Sequence, residues 1–318
     1  MIAKSEAPSL APSPIKPVPP SQTKISKRIQ YAVEYTGVRL LAGFLCLLPR
    51  REALEAGRAV GRILGRLMVS RGELARKNIL NSLPGISQAQ ADLLVKQCWE
   101  NLGAGAAEFV TTPGMSREEI FSFSEMDGIE RLRKSYAEGK GVLMVTAHYG
   151  AWELGAKVWP MSGFKTAVVA RRVKNPLVNR FVTRIRCCEG VRVLLAHDAV
   201  RESIRWLKQG NLLAVLIDHR VTEGGLKIPF FGRPAATTSM PAILALRYGI
   251  PVHMVHSWRE GDRVKIHIAP PLDLSDLTAS EADIAQATRR MNAVVEAWVR
   301  ERPEAWLWIH NRWKMESP

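Results

Sequence analysis

The sequence contains no run of 18 apolar, uncharged residues, which excludes a polytopic membrane protein. Its four cysteines (Cys46, Cys98, Cys187 and Cys188) form no C-x-x-C pair and no Cys/His zinc spacing. A disulfide scaffold and a structural zinc site are therefore not expected, and a reducing compartment fits. There is no G-x-x-x-x-G-K-[ST] loop and no G-x-G-x-x-G after a strand, so the nucleotide motifs fail. There is no G-x-S-x-G nucleophile elbow. Acidic residues are scarce: 30 Asp+Glu face 45 Lys+Arg, giving +15 and a pI near 10. That balance calls for an anionic partner. The aromatic and basic interleaving of a nucleic-acid-binding sheet face is missing, which leaves an anionic membrane or an acidic protein.

The 318 residues are 47% hydrophobic, enough for one large core or two modest ones. Residues 1–24 hold six of the nineteen prolines and read as a disordered arm without the order of a secretory signal, which places the chain on the cytoplasmic side. Residues 25–49 are helical in pattern. Leu40 to Leu48 is an apolar stretch of nine between Arg39 and Pro49-Arg50-Arg51, short of the ~20 residues of a span. With Ile29 to Val38 before it, it reads as an interfacial or partly inserted anchor in preference to a core helix. Gly57, Gly61 and Gly65 recur every four residues, as do Arg58, Arg62 and Arg66, so each set forms a stripe on a helix. The glycines permit close helix packing. The arginines suit either lipid phosphates or a solvated basic face.

Beyond about residue 117 the texture alternates. Strands are expected at 141–147, 166–170, 191–195, 212–217, 252–257 and 263–269, with helices near 150–160, 175–188, 198–209, 239–248 and 281–302. The expected fold is α/β: a mostly parallel sheet covered by helices on both faces, with an N-terminal membrane-associating helical segment. The expected organisation is an arm at 1–24, a membrane-associated helical region at 25–115 and a catalytic core at 116–318.

Ligands of open α/β sheets bind beyond the carboxyl ends of the strands. Those ends here carry His148 to Glu153, then Arg171, Arg172 and Lys174-Asn175, then His197-Asp198, then Asp218-His219-Arg220. His148 and Glu153 are the sharpest pair. They meet only if His148 lies on the strand-to-helix turn and Glu153 in the first helical turn, with Gly150 as the flexible point. An imidazole oriented by a carboxylate is a general base for a hydroxyl. With no Ser or Cys nucleophile beside it, the substrate brings the nucleophile. The competing reading is a turn histidine and a helix-start glutamate.

The segments TAHYGAWE (146–153), IPFFGRPAATTSMPAILALRYGIPV (228–252) and RPEAWLWIHNRWK (302–314) resemble the bacterial lipid A late acyltransferases. The likeness extends in order over about residues 28–314. It implies a membrane-bound enzyme on the cytoplasmic face of the inner membrane. Such an enzyme moves an acyl chain from acyl carrier protein to a hydroxyl of an anionic lipid A precursor, with no metal or bound cofactor and no nucleic acid. It implies His148 and Glu153 as the catalytic pair, Glu153 fixing the imidazole tautomer. It also implies Arg171, Asn175, Asp218, Phe231 and Gly232 as substrate-binding positions. Backbone N–H groups after His148, or a guanidinium such as Arg171, would receive the oxyanion. Asp218-His219 departs from the Asp-Gln often found in the family. The Glu-Gly-Thr-Arg loop of glycerophosphate acyltransferases is absent, Thr222-Glu223-Gly224-Gly225 standing there instead. The other acceptors that fit are a lysophospholipid or a glycolipid, and the rival class is a non-enzymatic basic membrane-binding protein. Trp298, Trp306, Trp308 and Trp313 fall in the last 21 residues, either as packing or as an interfacial belt or groove wall.

Overall fold

A computed structural model describes residues 25–195, 199–221 and 224–314. The Pro-rich arm, His197-Asp198 and Thr222-Glu223 lie outside the described residues. Four helices come first: α1 (Ile25–Cys46), α2 (Arg50–Leu67), α3 (Val69–Leu80) and α4 (Gln88–Thr111). The chain then continues α5 (Arg117–Phe123), β1 (Ser124–Asp127), α6 (Ile129–Ala137), β2 (Val142–Thr146), α7 (Gly155–Met161), β3 (Thr166–Ala170) and α8 (Pro176–Cys187). Next come β4 (Arg192–Leu195), α9 (Ala199–Leu207), β5 (Leu212–Leu216), β6 (Leu226–Phe230), β7 (Arg233–Thr237) and α10 (Met240–Tyr248). The chain ends with β8 (Val252–Glu260), β9 (Arg263–Pro271) and α11 (Glu281–Glu301).

Seven strands form one sheet in the order β1-β9-β8-β2-β5-β3-β4. It is parallel except for the β8–β9 pair. Side chains alternate across a strand, and here both sets are buried. Leu143 and Val145 of β2 join one core with Leu213, Val215, Leu244 and Val295; Val142 and Met144 join the other with Leu212, Ile266, Leu132 and Val158. That is why β2 and β5 read as continuous apolar runs. The six expected strands and five expected helices are all present, within a few residues. Helices α5 and α6, the short edge strand β1 and the β6–β7 hairpin were not anticipated; for the hairpin, a helix–strand alternation left no place for a second, two-stranded sheet.

The N-terminal helices cluster about α4. Its start is fixed by a capping box, Ser87 accepting from the Gln90 N–H while the Gln90 side chain accepts from the Ser87 N–H. The glycine stripe of α2 faces it. A Cβ on Gly61 would stand 2.1 Å from the Trp99 carbonyl oxygen, and one on Gly103 would stand 2.1 Å from that of Gly57. The arginine stripe is largely engaged within the protein: Arg58 pairs with Glu55 and Arg62 with Glu100. Ile25, Ile29, Val33, Leu40, Phe44 and Leu47 of the α1 segment stay exposed, as do Ile63, Leu64 and Leu67 of α2. No described helix is long and apolar enough to cross a membrane.

Candidate active site

The parallel register of β2 and β5 pairs Thr146 with Leu216. Two residues further along each strand, His148 and Asp218 therefore emerge side by side. The His148 Nδ1 lies 2.8 Å from Asp218 Oδ1, and the His148 backbone N–H donates to Asp218 Oδ2 at 2.9 Å. The Trp306 indole N–H donates to the same Oδ2 at 2.8 Å. Asp218 is almost fully buried. Burial alone would raise its pKa, but the charge and the hydrogen bonds of His148, together with the field of His219, outweigh it and hold the carboxyl well below the usual carboxylate range. An ionised carboxylate only accepts hydrogen bonds. In the neutral imidazole, Nδ1 of His148 therefore carries the proton and Nε2 the lone pair.

The imidazole is also held on its faces. The His219 ring stacks on it, with centroids 3.6 Å apart and planes 7° apart, and Trp152 meets it edgewise at 5.4 Å. His310 stacks on His219 at 4.1 Å, and its Nε2 accepts the Arg220 N–H at 3.1 Å. Burial, with the nearby charge of His148, lowers the His219 pKa to about 3; burial also lowers that of His310 to about 4. Both are neutral at physiological pH. Arg171 lies at the exposed rim of this column, its Nη2 donating to the Arg220 carbonyl at 3.0 Å.

The carboxylate beside His148 Nδ1 is that of Asp218, and Glu153 points elsewhere. It lies in a single 3-10 turn, Trp152–Leu154, and its carboxylate forms a two-pronged ion pair with Arg186 of α8. The carboxylate that reaches Nδ1 comes from the next strand because the sheet register places it there. Asn175, expected to bind substrate, has its polar atoms engaged structurally. Its oxygen caps α8 through the Leu177 and Val178 N–H groups, and its amide donates to the Tyr31 carbonyl and to Glu34, docking α1. Phe231 and Gly232, also expected to bind substrate, form the two-residue turn of the β6–β7 hairpin, with φ of 50° and 69°. Positive φ at both positions is the geometry of the tight hairpin turn. The Phe231 N–H is pinned by Glu296 at 2.8 Å.

The backbone N–H groups of residues 148–151 are all engaged within the protein. That of His148 goes to Asp218, Tyr149 to the Ala147 carbonyl, Gly150 to the Ala305 carbonyl, and Ala151 to the Ser257 hydroxyl. The C-terminal segment accounts for part of this, since it straps the loop in place. Leu307 N–H donates to the His148 carbonyl, and Arg312, fully buried, clamps the Ala236 carbonyl and the Thr237 hydroxyl. Trp298, Trp306 and Trp308 are buried, so they form core and strap contacts and no interfacial belt. The roles of Trp306 and His310 escaped the sequence reading. Their only signal was the W-L-W-x-H-x-R-W-K ending, which carries no spacing rule of its own.

The profile of the family described as bacterial lipid A biosynthesis acyltransferase matches residues 20–315. The chain is 26% identical over 294 residues to the lipid A biosynthesis lauroyltransferase of Escherichia coli K12, covering 90% of this chain and 92% of that one. It is 26% identical over 306 residues to the lipid A biosynthesis myristoyltransferase of the same organism, covering 94% and 92%. It is also 24% identical over 303 residues to a phosphatidylinositol mannoside acyltransferase of Mycobacterium tuberculosis, covering 92% and 90%.

Proposed function

Because the chain belongs to the bacterial lipid A biosynthesis acyltransferase family, we propose that it moves a fatty acyl chain from acyl carrier protein to a hydroxyl of a lipid A precursor, with His148 as general base and Asp218 as the group that orients it. The observation that carries this reading is the Asp218–His148 Nδ1 contact, which leaves Nε2 as the free basic atom at the carboxyl end of the sheet. The acceptor O–H gives its proton to Nε2 as its oxygen attacks the thioester carbonyl. The tetrahedral intermediate then collapses, the C–S bond breaks, and the thiolate leaves with the proton from Nε2–H. Asp218 stabilises the transient imidazolium without taking its proton. The N–H groups of residues 148–151 are engaged, and Arg171 at the rim is assigned the role of oxyanion donor. A thioester is already activated, so the step asks for no metal.

The +15 charge complements both an acidic carrier protein and an anionic acceptor. The exposed apolar rows of α1 and α2 suit insertion into the headgroup boundary of a bilayer, at the cytoplasmic face of the inner membrane, as a monotopic protein. The match to a phosphatidylinositol mannoside acyltransferase favours a second acceptor, a glycolipid. Mass spectrometry of lipid A from cells with and without the gene tests the reading. Loss of one acyl chain on deletion, restored by the wild-type gene and not by His148→Ala, is the expected result. Unchanged lipid A together with an altered glycolipid or phospholipid would move the activity to the second acceptor.

A further inference from the structure

The loop that carries His148 turns at Gly150, where φ is +58° and a Cβ would stand 1.7 Å from the Ser257 carbonyl oxygen. No other residue fits there. The Gly150 carbonyl is held by a residue far away in sequence: Arg259 of β8 donates from Nη1 to it at 3.2 Å and to Asn101 Oδ1 at 2.6 Å. The other arm of the same guanidinium donates to Glu108 Oε2 at 2.7 Å. Glu108 Oε1 in turn accepts from Arg50 at 2.8 Å, where α2 begins. Arg259 and Glu108 are both buried, with side chains 6% and 4% exposed. Asn101 also donates to the Ala305 carbonyl, the acceptor of the Gly150 N–H. Both sides of the Gly150 peptide are thus tied to α4.

A buried ion pair is a poor way to gain stability, because desolvation offsets most of the attraction. A planar guanidinium is, by contrast, a good way to fix three acceptors at set angles. We infer that Arg259 is a positioning residue for the proposed transfer, acting through the Gly150 carbonyl, with Glu108 and Asn101 setting its guanidinium. Arg50 extends the same contact to α2, whose outer face carries exposed apolar side chains. The inference rests on the acyl-transfer reading of His148, since it assigns Arg259 a part in that step.

The test uses Arg259→Lys in the full chain. A single ammonium cannot reach Glu108, Asn101 and the Gly150 carbonyl together. The expected result is a fall in kcat of about tenfold to hundredfold with KM for the acyl donor unchanged, the scale that small misplacement of a catalytic group produces. Hydrogen exchange across 147–154 should be faster by about tenfold, while exchange in β5 and α11 stays as in wild type. A folded variant with wild-type kcat and unchanged exchange overturns the inference, as does a kcat loss matched by faster exchange everywhere. If Arg259→Lys does not fold, Glu108→Gln takes its place, with the same two readouts expected to move in the same directions by less; no movement in either overturns the inference. A wild-type protein that transfers no acyl chain would instead sink the functional reading, and the exchange comparison would still report whether Arg259 holds the loop.

Discussion

His219 lies flat against His148, with ring centroids 3.6 Å apart, and His310 continues the stack on its far side. His219 and His310 are half-buried and neutral, with pKa values lowered by desolvation to about 3 and about 4. The ordinary histidine value is about 6.5. Between those values and 6.5 the unfolded chain binds protons that the folded chain refuses, so stability falls as pH drops through that window. Asp218 adds to this at lower pH. Its depressed carboxyl contributes stability above the ordinary aspartate value that is lost as acid protonates it. Each refused proton steepens the slope by at most about 1.4 kcal/mol per pH unit. Urea unfolding at pH 7, 6 and 5 should show a steep loss for wild type and a shallower one for His219→Gln. Identical slopes would mean that His219 is protonated in the folded protein.

Asp218→Asn and Glu153→Gln separate the two carboxylates near the loop. An asparagine at 218 either donates to Nδ1 or leaves it unoriented, so the wrong tautomer is favoured. By analogy with a triad aspartate, the cost in kcat is about 10³–10⁴-fold. Glu153→Gln breaks an ion pair to Arg186 and should cost kcat far less. Steady-state rates of the purified variants decide this, and a larger loss for Glu153→Gln would return the orienting role to Glu153.

The sheet and its carboxyl edge were legible in the sequence because strands buried on both faces leave unbroken apolar runs such as Leu212 to Ile217, and because ionisable groups stand directly after them. His148, Arg171 and Asp218 were visible as strand-end residues for that reason. Which carboxylate serves His148 was not visible: a one-dimensional spacing favours the neighbour five residues away, whereas the β2–β5 register brings one from 70 residues further on. Asn175, Phe231 and Gly232 came from the family resemblance, and the helix cap and hairpin turn they form need the three-dimensional contacts to be seen. Trp306 reached Asp218 only through the C-terminal strap, and no local periodicity encodes a strap.

The α2–α4 contact gives a stability prediction free of the chemistry. Gly61→Ala would bring its methyl to 2.1 Å from the Trp99 carbonyl oxygen, which is backbone and cannot swing aside. The helices must separate, at a cost of about 1–3 kcal/mol typical of overpacking, outweighing the better helix propensity of alanine. Gly37→Ala on α1 meets nothing within 4 Å and should be neutral or slightly stabilising. Thermal unfolding of the two variants in one buffer checks the contrast.

Membrane attachment, in this reading, depends on the apolar row more than on the arginine stripe. Leu40, Phe44 and Leu47 are 71%, 53% and 83% exposed, and burying each such side chain is worth roughly 1.5–3 kcal/mol. Arg58 and Arg62 already face Glu55 and Glu100, so their charge is partly cancelled before any lipid arrives. Changing Leu40, Phe44 and Leu47 together to Gln should abolish sedimentation with both neutral and anionic vesicles. Changing Arg58 and Arg62 to Gln should weaken binding to anionic vesicles by less than the roughly 1 kcal/mol per residue that a free surface arginine contributes, and leave neutral vesicles unaffected. Retained binding by the apolar triple variant, with loss in the arginine variant, would place the lipid contact on the charged stripe and reverse the assignment.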